Sequence, residues 1–342
     1  MKVSIIGATG YGGLELIRYL VNHPHVEIIS IHSQTETQAV DQQYPHLKGI
    51  LSMKLTAVDP EEIMNQSDLV FLASPSGISK KLALPFIEND FPVIDLSGDF
   101  RLKEAGAYEK WYGTDAQHFS SIEKFDYGLA EFRENLNSKF IANPGCYATA
   151  SELSLAPLLQ NQLAELDSIV IDGKSGLSGA GKGMSASSHF SHVNENMSVY
   201  KMNKHQHIPE IVQQFQHWAP ELKGIQFTTS LIPVTRGILV TAYVKLKDVL
   251  SCVQLVNLYK SCYMEKPFIR IQEEGCFPCI KQVAGTNFCD IGLAVNKEMK
   301  MATIVTVIDN LGKGAAGQAI QNMNLFAGFS ETDGLMQVPI YP

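Results

Sequence analysis

Residues 3–13 read VSIIGATGYGG, and this stretch decides the fold of the N-terminal part of the chain. Val3–Ile6 is a short apolar run that predicts a β-strand, and glycines at positions 7, 10 and 13 follow it. A helix is predicted next, as far as about Val21, because apolar residues recur there at helical spacing. A strand, a glycine-rich turn and a helix in this order are typical of a dinucleotide-binding βαβ unit.

The glycine-rich turn is a candidate pyrophosphate site. Glycine lets the backbone turn tightly and approach a phosphate group, and the helix N-terminus supplies N–H donors and a partial positive charge. The alternative for the same pattern is a tight turn that binds no ligand. The residues that we assign to cofactor binding here are Gly7, Thr9, Gly10, Tyr11, Gly12 and Gly13.

The end of the second predicted strand, Val26–Ile31, bears on the choice of cofactor. An NAD site usually has Asp or Glu at this point, where the carboxylate holds the ribose 2′-hydroxyl. Here the strand leads into Ser33 and Gln34, which offer hydroxyl and amide donors, and the nearest acid is Glu36. We therefore predict NADP, whose 2′-phosphate a carboxylate would repel.

Strand and helix patterns alternate through the first half of the chain, and the connections between them are short. Alternation of this kind predicts an α/β fold built on a Rossmann-type, doubly wound parallel sheet. After the first unit, the predicted elements are the strands Leu69–Ala73 and Pro92–Leu96 and the helix Ile78–Glu88.

The pattern changes after about residue 167. Long strand-like segments dominate, which predicts an α+β catalytic domain with a mixed, largely antiparallel sheet. A last helix is expected over Gly314–Ala327. The predicted strands are Ser168–Asp172, Gln226–Pro233, Ile238–Leu246, Phe268–Ile271 and Ala302–Ile308, and the predicted helices are Pro209–Trp218 and Val249–Met264.

Composition narrows the possible classes of function. The chain has 342 residues, of which 45% are hydrophobic and 18% charged, so about two globular domains are expected. A net charge of -8 argues against nucleic-acid binding, and no apolar run is long enough for a membrane span. The short apolar start breaks into glycines instead of continuing as a signal peptide, so we expect a cytoplasmic protein with no membrane partner.

Six scattered cysteines are too few for a disulfide framework in a chain of this length. The pair Cys276 and Cys279 forms a lone C-x-x-C, which lacks the second pair of ligands that a zinc site needs. We therefore predict no metal site.

Cys146 is the candidate nucleophile. The segment 143–149 reads NPGCYAT and precedes an apolar helical stretch, so Cys146 stands at a predicted helix N-terminus. The positive end of the helix dipole lowers the pKa of such a thiol and makes thiolate available. From placement alone, a buried structural cysteine is an equally good interpretation.

The segment 204–210, KHQHIPE, provides a candidate acid/base. Pro209 suits the first turn of a helix, so His207 lies just before the helix N-terminus, where the field keeps the imidazole neutral. A neutral ring can accept a proton from a thiol, and Glu210 can orient that ring. The alternative is a pair of solvated histidines, His205 and His207, that cap the helix.

Two further segments are candidates for substrate binding. Arg101 ends the segment DLSGDFR after a predicted strand and could clamp a phosphate or carboxylate, although a surface salt bridge is the simpler interpretation. Residues 175–182, SGLSGAGK, form a second glycine-rich loop that can bring its backbone close to a ligand. We assign Ser175, Gly176 and Ser178 of this loop to substrate binding.

Eight segments, in chain order, carry a resemblance to a known family: GATGYGG, DLSGDFRL, YGLAEFR, NPGCYAT, SGLSGAGK, HQHIPEI, GTNFCDIG and DNLGKGAAGQAIQNMNL. The chain resembles the N-acetyl-gamma-glutamyl-phosphate reductases over essentially its whole length. Wider relatives of that family are aspartate-semialdehyde dehydrogenase and, more distantly, glyceraldehyde-3-phosphate dehydrogenase.

The resemblance implies an NADPH-dependent reductive dephosphorylation in arginine biosynthesis, from N-acetyl-glutamyl 5-phosphate to the 5-semialdehyde. It gives Cys146 the role of the nucleophile, which forms a thioester. It places His207, with His205 nearby, in the acid/base region and Glu210 as the orienting carboxylate. Arg101 matches the arginine that binds phosphate in relatives. During the reaction a tetrahedral oxyanion forms, which the backbone N–H of Cys146 and the side-chain amide of Asn143 could stabilise.

The resemblance also implies a domain organisation. Residues 1–145 with 311–342 would form the NADP-binding domain, and residues 146–310 the catalytic and oligomerisation domain of a homodimer or homotetramer. Asn310 would approach the nicotinamide, and Ser74 would contact the cofactor. Similar sequences often carry His at position 76 and Arg at positions 34, 182 and 206, where this chain has Ser, Gln, Lys and Gln.

Three alternatives remain open at this point. Two are enzymes: an aspartate-semialdehyde dehydrogenase, and a reductase acting on aminoadipyl phosphate attached to a carrier protein. The third is a catalytically silent NADP-binding sensor, which would need the glycine loop but not Cys146 or the histidines.

Overall fold

The computed structural model describes residues 1–34, 36–114 and 119–341, and within these the chain divides into two compact units. The first unit comprises Met1–Gly145 and Ala315–Met336. The second comprises Cys146–Gly314 and the chain from Gln337 onward.

Two short segments fall in a different unit from the one expected. Residues 311–314 and the chain from 337 were expected in the first domain and belong to the second unit. Local packing accounts for this, because Gly314 lies against Cys146 and the N–H of Ile340 donates to the carbonyl of Ala284 at 3.0 Å. Pro342, the last residue of the expected first domain, lies outside the described residues.

A parallel sheet forms the centre of the first unit. Its strands are β1 (Lys2–Ile6), β2 (Glu27–His32), β3 (Leu55–Thr56), β4 (Leu69–Leu72), β5 (Val93–Asp95), β6 (Asp126–Tyr127) and β7 (Phe140–Ala142). Their order is β3-β2-β1-β4-β5-β7-β6, and neighbouring strands are parallel. This arrangement confirms the predicted Rossmann-type sheet.

The helices of the first unit are α1 (Tyr11–Leu20), α2 (Val40–Gln43), α3 (Pro60–Gln66), α4 (Ser79–Glu88), α5 (Ala107–Tyr112), α6 (Phe119–Ile122) and α11 (Gly317–Ala327). The α11 helix packs against α1 and β5. The π-helical turn Gly312–Ala316 leads into α11, so the predicted helix begins three residues later than Gly314.

The glycine-rich turn joins β1 to α1 as predicted. A Cβ on Gly13 would lie 2.3 Å from the carbonyl oxygen of Gly7, so only glycine lets α1 start this close to the turn. Gly7 itself has φ +86 and packs against the carbonyl of Ala73 after β4. The first turn of α1 is thus fixed directly above the carboxyl ends of β1 and β4, the edge where such sheets bind ligands.

A mixed sheet forms the centre of the second unit. Its strands are β8 (Val170–Ser175), β9 (Ser198–Tyr200), β10 (Gln226–Leu231), β11 (Ile238–Lys245), β12 (Ile269–Ile271), β13 (Cys289–Asn296) and β14 (Met301–Ile308). Their order is β12-β13-β14-β11-β8-β10-β9. Only β8–β10 and β12–β13 pair in parallel, so the sheet is largely antiparallel, as predicted.

The helices of the second unit are α7 (Cys146–Gln160), α8 (Phe190–Val193), α9 (Ile208–Trp218) and α10 (Cys252–Cys262). Every residue of α7 from Tyr147 to Leu159 is buried, because the helix packs against β11, β14 and α9. This helix is the core of the unit and carries Cys146 at its first position.

The sequence analysis missed β13. Its first five residues are all buried, so the polar/apolar alternation that marks a half-buried strand is absent there. No helix within residues 1–34, 36–114 and 119–341 is long and apolar enough to cross a membrane.

Candidate active site

The glycine loop of the first unit presents an open helix N-terminus. Gly10 is the N-cap of α1, and no side chain caps the helix there. The hydroxyl of Tyr44 donates to the carbonyl of Thr9 at 2.8 Å, and the hydroxyls of Thr9 and Ser33 lie 3.4 Å apart. Side chains of neighbouring segments therefore fix the loop. The first N–H groups of α1 point beyond the helix, as an anion site requires.

The other predicted cofactor residues lie around this loop. Ser33 is buried at the end of β2, where its N–H donates to the carbonyl of Thr56, whereas Gln34 is exposed. The backbone nitrogen of Ser74 lies 3.1 Å from where a Cβ on Gly7 would be, so Ser74 lines the same edge of the sheet. The sequence analysis assigned these residues to the cofactor, with Ser33 and Gln34 near the 2′-phosphate, and the structure places Ser33 and Ser74 beside the glycine loop.

The guanidinium of Arg101 is hydrogen-bonded to backbone carbonyl groups of the first unit. It is buried, its Nε donates to the carbonyl of Asn143 at 2.8 Å, and its Nη2 donates to the carbonyl of Leu96 at 2.8 Å. The simpler interpretation of Arg101 as part of a surface salt bridge is therefore wrong, because the guanidinium is buried against carbonyl groups. Arg101 fixes the strand-end segment that leads to Cys146, three residues beyond Asn143.

The side-chain amide of Asn143 is also engaged within the first unit. Its Nδ2 donates to the carbonyl of Ala315 at 3.0 Å, and its Oδ1 accepts from Nδ2 of Asn322 at 3.2 Å. Asn143 is fully buried. In this arrangement the amide joins β7 to the start of α11, and the predicted oxyanion role would need it to leave these bonds.

Asp95, which the sequence analysis did not single out, is a buried carboxyl at the end of β5. Burial, followed by the neighbouring charge of Asp99, raises the pKa of Asp95 to about 7. Ser97 donates to its Oδ2 at 2.6 Å, and the Asp95 carbonyl accepts the N–H of Asn143 at 2.8 Å. The sequence signal for Asp95 and Asp99 was the run DLSGDFR, which has two acids within five residues after a strand.

Cys146 begins α7 in the second unit and is half-buried. Its position at the N-terminus of a 15-residue helix is the one predicted for an activated thiol. Cys146 is not fully buried, as the alternative of a buried structural cysteine would have it, because part of its surface is open to solvent.

A tight turn lies against Cys146, and one buried carboxylate organises that turn. A Cβ on Gly314 would lie 2.7 Å from Cβ of Cys146, so glycine is required. Asp309 is fully buried and accepts Nε and Nη2 of Arg236 at 2.9 and 3.0 Å. It also accepts two backbone N–H groups at the start of the turn, at 2.9 and 2.8 Å. The Arg236–Asp309 pair was not predicted.

His205 and His207 stand together at the start of α9, whose N-cap is His207. Both are buried, and their ring centroids are 4.7 Å apart. The backbone N–H of His207 donates to Nδ1 of His205 at 3.2 Å. Burial, reinforced by the charges of His207 and Lys201, lowers the pKa of His205 to about 2, so this ring is neutral near pH 7. The interpretation of these residues as solvated caps is wrong.

Glu210 is fully buried in the first turn of α9. Its negative charge favours protonation of His205, although less strongly than burial opposes it. The predicted carboxylate is thus within electrostatic reach of the histidine pair.

Two tyrosines beside this pair were missed. The ring of Tyr147 meets His205 edge-on with centroids 5.3 Å apart, and Tyr200 meets it at 5.7 Å. The Tyr200 hydroxyl donates to that of Tyr147 at 3.4 Å. Tyr147 follows Cys146 directly, which was its signal in the sequence. Tyr200 lies shortly before His205 in the chain, but no motif marked it.

The second glycine-rich loop is tied to Asn310. The Asn310 Nδ2 donates to Oγ of Ser178 at 2.9 Å, and its Oδ1 accepts the N–H of Gly237 at 2.7 Å. The N–H of Gly176 donates to the carbonyl of Gly237 at 2.9 Å. Ser175 is buried at the end of β8, and its hydroxyl donates to the carbonyl of Gly176 at 2.9 Å. The structure thus brings Ser175, Gly176, Ser178 and Asn310 together in the second unit.

The predicted site residues therefore divide between the two units. The glycine loop, Ser33, Gln34, Ser74, Arg101 and Asn143 belong to the first unit. Cys146, the histidines, Glu210, the second loop and Asn310 belong to the second. All six cysteines are thiols, and the described residues contain no cluster of His, Cys, Asp or Glu that could hold a metal ion.

Comparison with known proteins assigns a family to both parts of the chain. Residues 2–139 match the semialdehyde dehydrogenase NAD binding domain, and residues 146–310 match the semialdehyde dehydrogenase dimerisation domain. A protein of Listeria monocytogenes serotype 4a (strain HCC23) named N-acetyl-gamma-glutamyl-phosphate reductase is 57% identical over 345 residues, covering 100% of both chains.

The chain belongs to the N-acetyl-gamma-glutamyl-phosphate reductase family.

A second protein of that name, from Streptococcus gordonii (strain Challis), is 55% identical to this chain, and the match again covers 100% of both chains. Among solved structures, aspartate semialdehyde dehydrogenase II from Vibrio cholerae, complexed with ASA, has a TM-score of 0.72 at 18% identity. That match covers 96% of this chain and 98% of the other. Aspartate semialdehyde dehydrogenase with NADP from Candida albicans has a TM-score of 0.64 at 14% identity, over 95% and 98% of the two chains. These structures show that the chain shares the fold of aspartate semialdehyde dehydrogenases.

Proposed function

We propose that this chain catalyses the NADPH-dependent reduction of N-acetyl-L-glutamyl 5-phosphate to N-acetyl-L-glutamate 5-semialdehyde and phosphate, a step of arginine biosynthesis. The observation that carries the reaction class is Cys146, a half-buried thiol at the first position of a buried helix, in the same unit as a buried histidine pair. The choice of substrate follows the relatives that carry this name at 55–57% identity over the full chain.

The first half of the reaction is acyl transfer to sulfur. The N-terminus of α7 favours the thiolate of Cys146, which attacks the carbonyl carbon of the acyl phosphate. The negative charge that develops on the carbonyl oxygen is stabilised by N–H donors at the helix start. Phosphate then leaves and a thioester on Cys146 remains. An acyl phosphate is already activated, so the step needs neither ATP nor a metal.

The second half is reduction of the thioester. NADPH, when bound, would supply a hydride to the thioester carbon, which leaves an oxyanion there. His207, which holds the proton taken from the thiol of Cys146, protonates this oxyanion and takes the same proton back as the thiohemiacetal collapses to the aldehyde and its C–S bond breaks. The thiolate of Cys146 is thereby restored for the next turnover.

We assign the main acid/base role to His207 and a positioning role to His205. The Nδ1 of His205 already accepts the backbone N–H of His207, and its ring is enclosed by aromatic side chains. A pKa of about 2 makes His205 a poor proton acceptor near neutral pH. Its hydrogen bond instead fixes the backbone of the residue that does exchange the proton.

Arg101 is proposed to serve the phosphate group by two routes. Its buried charge attracts the dianion, as expected from the sequence. Its bonds to the carbonyls of Asn143 and Leu96 fix the segment before Cys146. We further propose that the first unit binds NADP through the glycine loop, and that the second unit supports a cytoplasmic homodimer or homotetramer, in keeping with the dimerisation domain that it matches.

A parallel substrate assay tests the proposed function. The purified protein is given NADP, phosphate and either N-acetylglutamate semialdehyde or aspartate semialdehyde, and NADPH formation is followed. Turnover of the acetylated substrate at least 10²-fold faster is expected. Preference for aspartate semialdehyde would favour the alternative dehydrogenase. Binding of NADPH without turnover of either compound would favour a silent sensor.

A further inference from the structure

Two loops of the first unit leave the parallel sheet at the point where its strand order reverses. Strands β1, β2 and β3 run out to one side, and β4 and β5 run towards the other. Doubly wound sheets bind ligands at the carboxyl edge of this switch point, between the loops that follow its two strands. One of them is the glycine-rich turn after β1, and the other comprises residues 73–78, which we call the β4 loop. The two are in contact, because Gly7 packs against the carbonyl of Ala73.

The buried side chain of Asp99 holds the β4 loop where it enters α4. Its Oδ1 and Oδ2 accept the N–H of Gly77 at 2.7 and 2.9 Å, and its Oδ2 also accepts the N–H of Lys80 at 2.8 Å. The N-cap residue of α4 is Ile78, whose side chain has no polar atom with which to cap a helix. Asp99 therefore caps α4 from a different segment of the chain, the one that follows β5.

The contact between the β4 loop and the segment after β5 is reciprocal. The N–H of Gly98 donates to Oγ of Ser76 at 3.0 Å, so each segment donates to a side chain of the other. Asp99 is also fixed on its own side. The hydroxyl of Tyr108 donates to its Oδ1 at 2.7 Å, and its backbone N–H donates to Oγ of Ser97 at 3.1 Å. Asp99 is thus held in place while it holds the β4 loop.

We propose that Asp99 is a positioning residue for the cofactor, because it holds the β4 loop as the second wall of the nucleotide cleft, opposite the glycine-rich turn. This assignment rests on the proposed binding of NADP by the first unit. Strands β2 and β4 lie on opposite sides of β1, about 10 Å from one another. The 2′-phosphate that we assign to the end of β2 therefore lies away from the β4 loop, which faces the nicotinamide half of the nucleotide.

Asp99→Ala removes both oxygens that hold the β4 loop, and calorimetric titration with two probes tests the effect. NADPH is expected to bind about tenfold more weakly, the size of one lost hydrogen bond to a charged group. Adenosine 2′,5′-bisphosphate, which lacks the nicotinamide half, should keep its wild-type affinity. NADH should weaken by the same factor as NADPH, because the β4 loop does not face the 2′-phosphate. A loss confined to the complete nucleotides is a result that general damage to the fold would not give.

Two further variants serve as controls. Asp59→Ala removes another helix cap of the first unit, since the Asp59 carboxyl accepts two N–H groups of the first turn of α3 at 3.1 and 3.2 Å. Asp59 lines a surface cleft with Glu88, at the C-terminal end of α4, so this variant should lower Tm and leave NADPH affinity unchanged. Asp99→Asn keeps one oxygen for the two N–H groups of the β4 loop and α4, so its NADPH affinity should stay within about threefold of wild type.

Wild-type affinity of Asp99→Ala for NADPH overturns the assignment, and so does an equal loss of affinity for NADPH and the bisphosphate. A wild-type protein that binds neither NADPH nor NADH refutes the proposed cofactor binding instead, whatever the variants do. If Asp99→Ala does not fold, Tyr108→Phe replaces it, because it removes one bond that holds Asp99 and keeps both carboxyl oxygens. It should weaken NADPH binding by about threefold, and unchanged binding there would count against the proposal.

Discussion

The backbone N–H of His207 donates to Nδ1 of His205 across 3.2 Å, and this bond distinguishes the environments of the two histidines. One ring nitrogen of His205 is occupied by this bond, and burial lowers the pKa of its imidazole to about 2. His207 is the N-cap of α9, and this bond fixes the backbone of His207. The bond therefore supports our proposal that His207 exchanges the proton and His205 positions it.

Replacing each histidine in turn tests this division. His207→Asn should lower kcat by about 10²–10⁴, the usual contribution of a general acid/base, and should remove one limb of the kcat pH profile. His205→Asn should lower kcat by up to about 10² through misplacement, with the shape of the pH profile kept. His192→Asn, at an exposed position in the same unit, is the control. Loss of the limb in His205→Asn alone would reverse the roles.

Arg101 should respond differently to two substitutions. Arg101→Ala removes both the charge and the two carbonyl bonds, so KM for phosphate in the reverse assay should rise and kcat should fall. Arg101→Lys keeps the charge but cannot make the same paired bonds, so kcat should fall about tenfold with a smaller change in KM. Lys81→Ala, an exposed charge in the first unit, is the control. An unchanged phosphate KM in Arg101→Ala would show that Arg101 is not the clamp.

Cofactor preference should follow the end of β2. NADPH is expected to bind more tightly than NADH, because Ser33 and Gln34 offer donors to the 2′-phosphate and no carboxylate repels it. Gln34→Glu should weaken NADPH binding by about tenfold and leave NADH unchanged or tighter. Fluorescence titration of both nucleotides checks this, and equal NADH and NADPH affinity in the wild type would contradict it.

Asp95 should make stability depend on pH. Its pKa is raised from 3.8 to about 7 by burial, so between these values the folded chain binds a proton that the unfolded chain has lost. Stability must therefore decrease as pH rises through this window. Asp95→Asn should flatten the fall in Tm as pH rises from 3.8 to about 7, whereas Asp248→Asn, at an exposed position, should not. Parallel Tm curves for Asp95→Asn and wild type would show that Asp95 does not titrate there.

Local sequence signals accounted for the parts of the molecule that lie close together in the chain. The glycine turn, the start of α7 at Cys146 and the start of α9 after His207 each depend on spacing within about ten residues, and each was predicted. Strand β13 was missed because its buried first half lacks alternation. Tyr200 and the Arg236–Asp309 pair were missed because their partners are brought together only by the mixed sheet and the turn through Gly314.

Asn143 and Arg101 show a further limit of sequence analysis. The sequence analysis placed Arg101 after a strand and Asn143 before a helix, but their hydrogen bonds go to backbone groups that no spacing reveals. A side chain's partners depend on which carbonyl groups the folded loops leave unpaired nearby. Residue type alone therefore suggested a ligand for groups that the fold also uses to hold itself together.

Cys146→Ser should abolish turnover while NADPH still binds. A serine hydroxyl has a far higher pKa than a thiol, so the N-terminus of α7 and His207 cannot generate useful alkoxide at neutral pH. Sulfur and oxygen differ little in volume, so packing should barely change. Cys276→Ser, at an exposed cysteine, is the matched control and should keep full activity.

The most direct test of the nucleophile is a single turnover with the acyl phosphate and no reductant, followed by mass spectrometry of the intact chain and its peptides. The wild type is predicted to gain one acyl group, on Cys146, and Cys146→Ser is predicted to gain none. An adduct on Cys276, Cys279 or Cys289, or near-normal turnover by Cys146→Ser, would contradict the account.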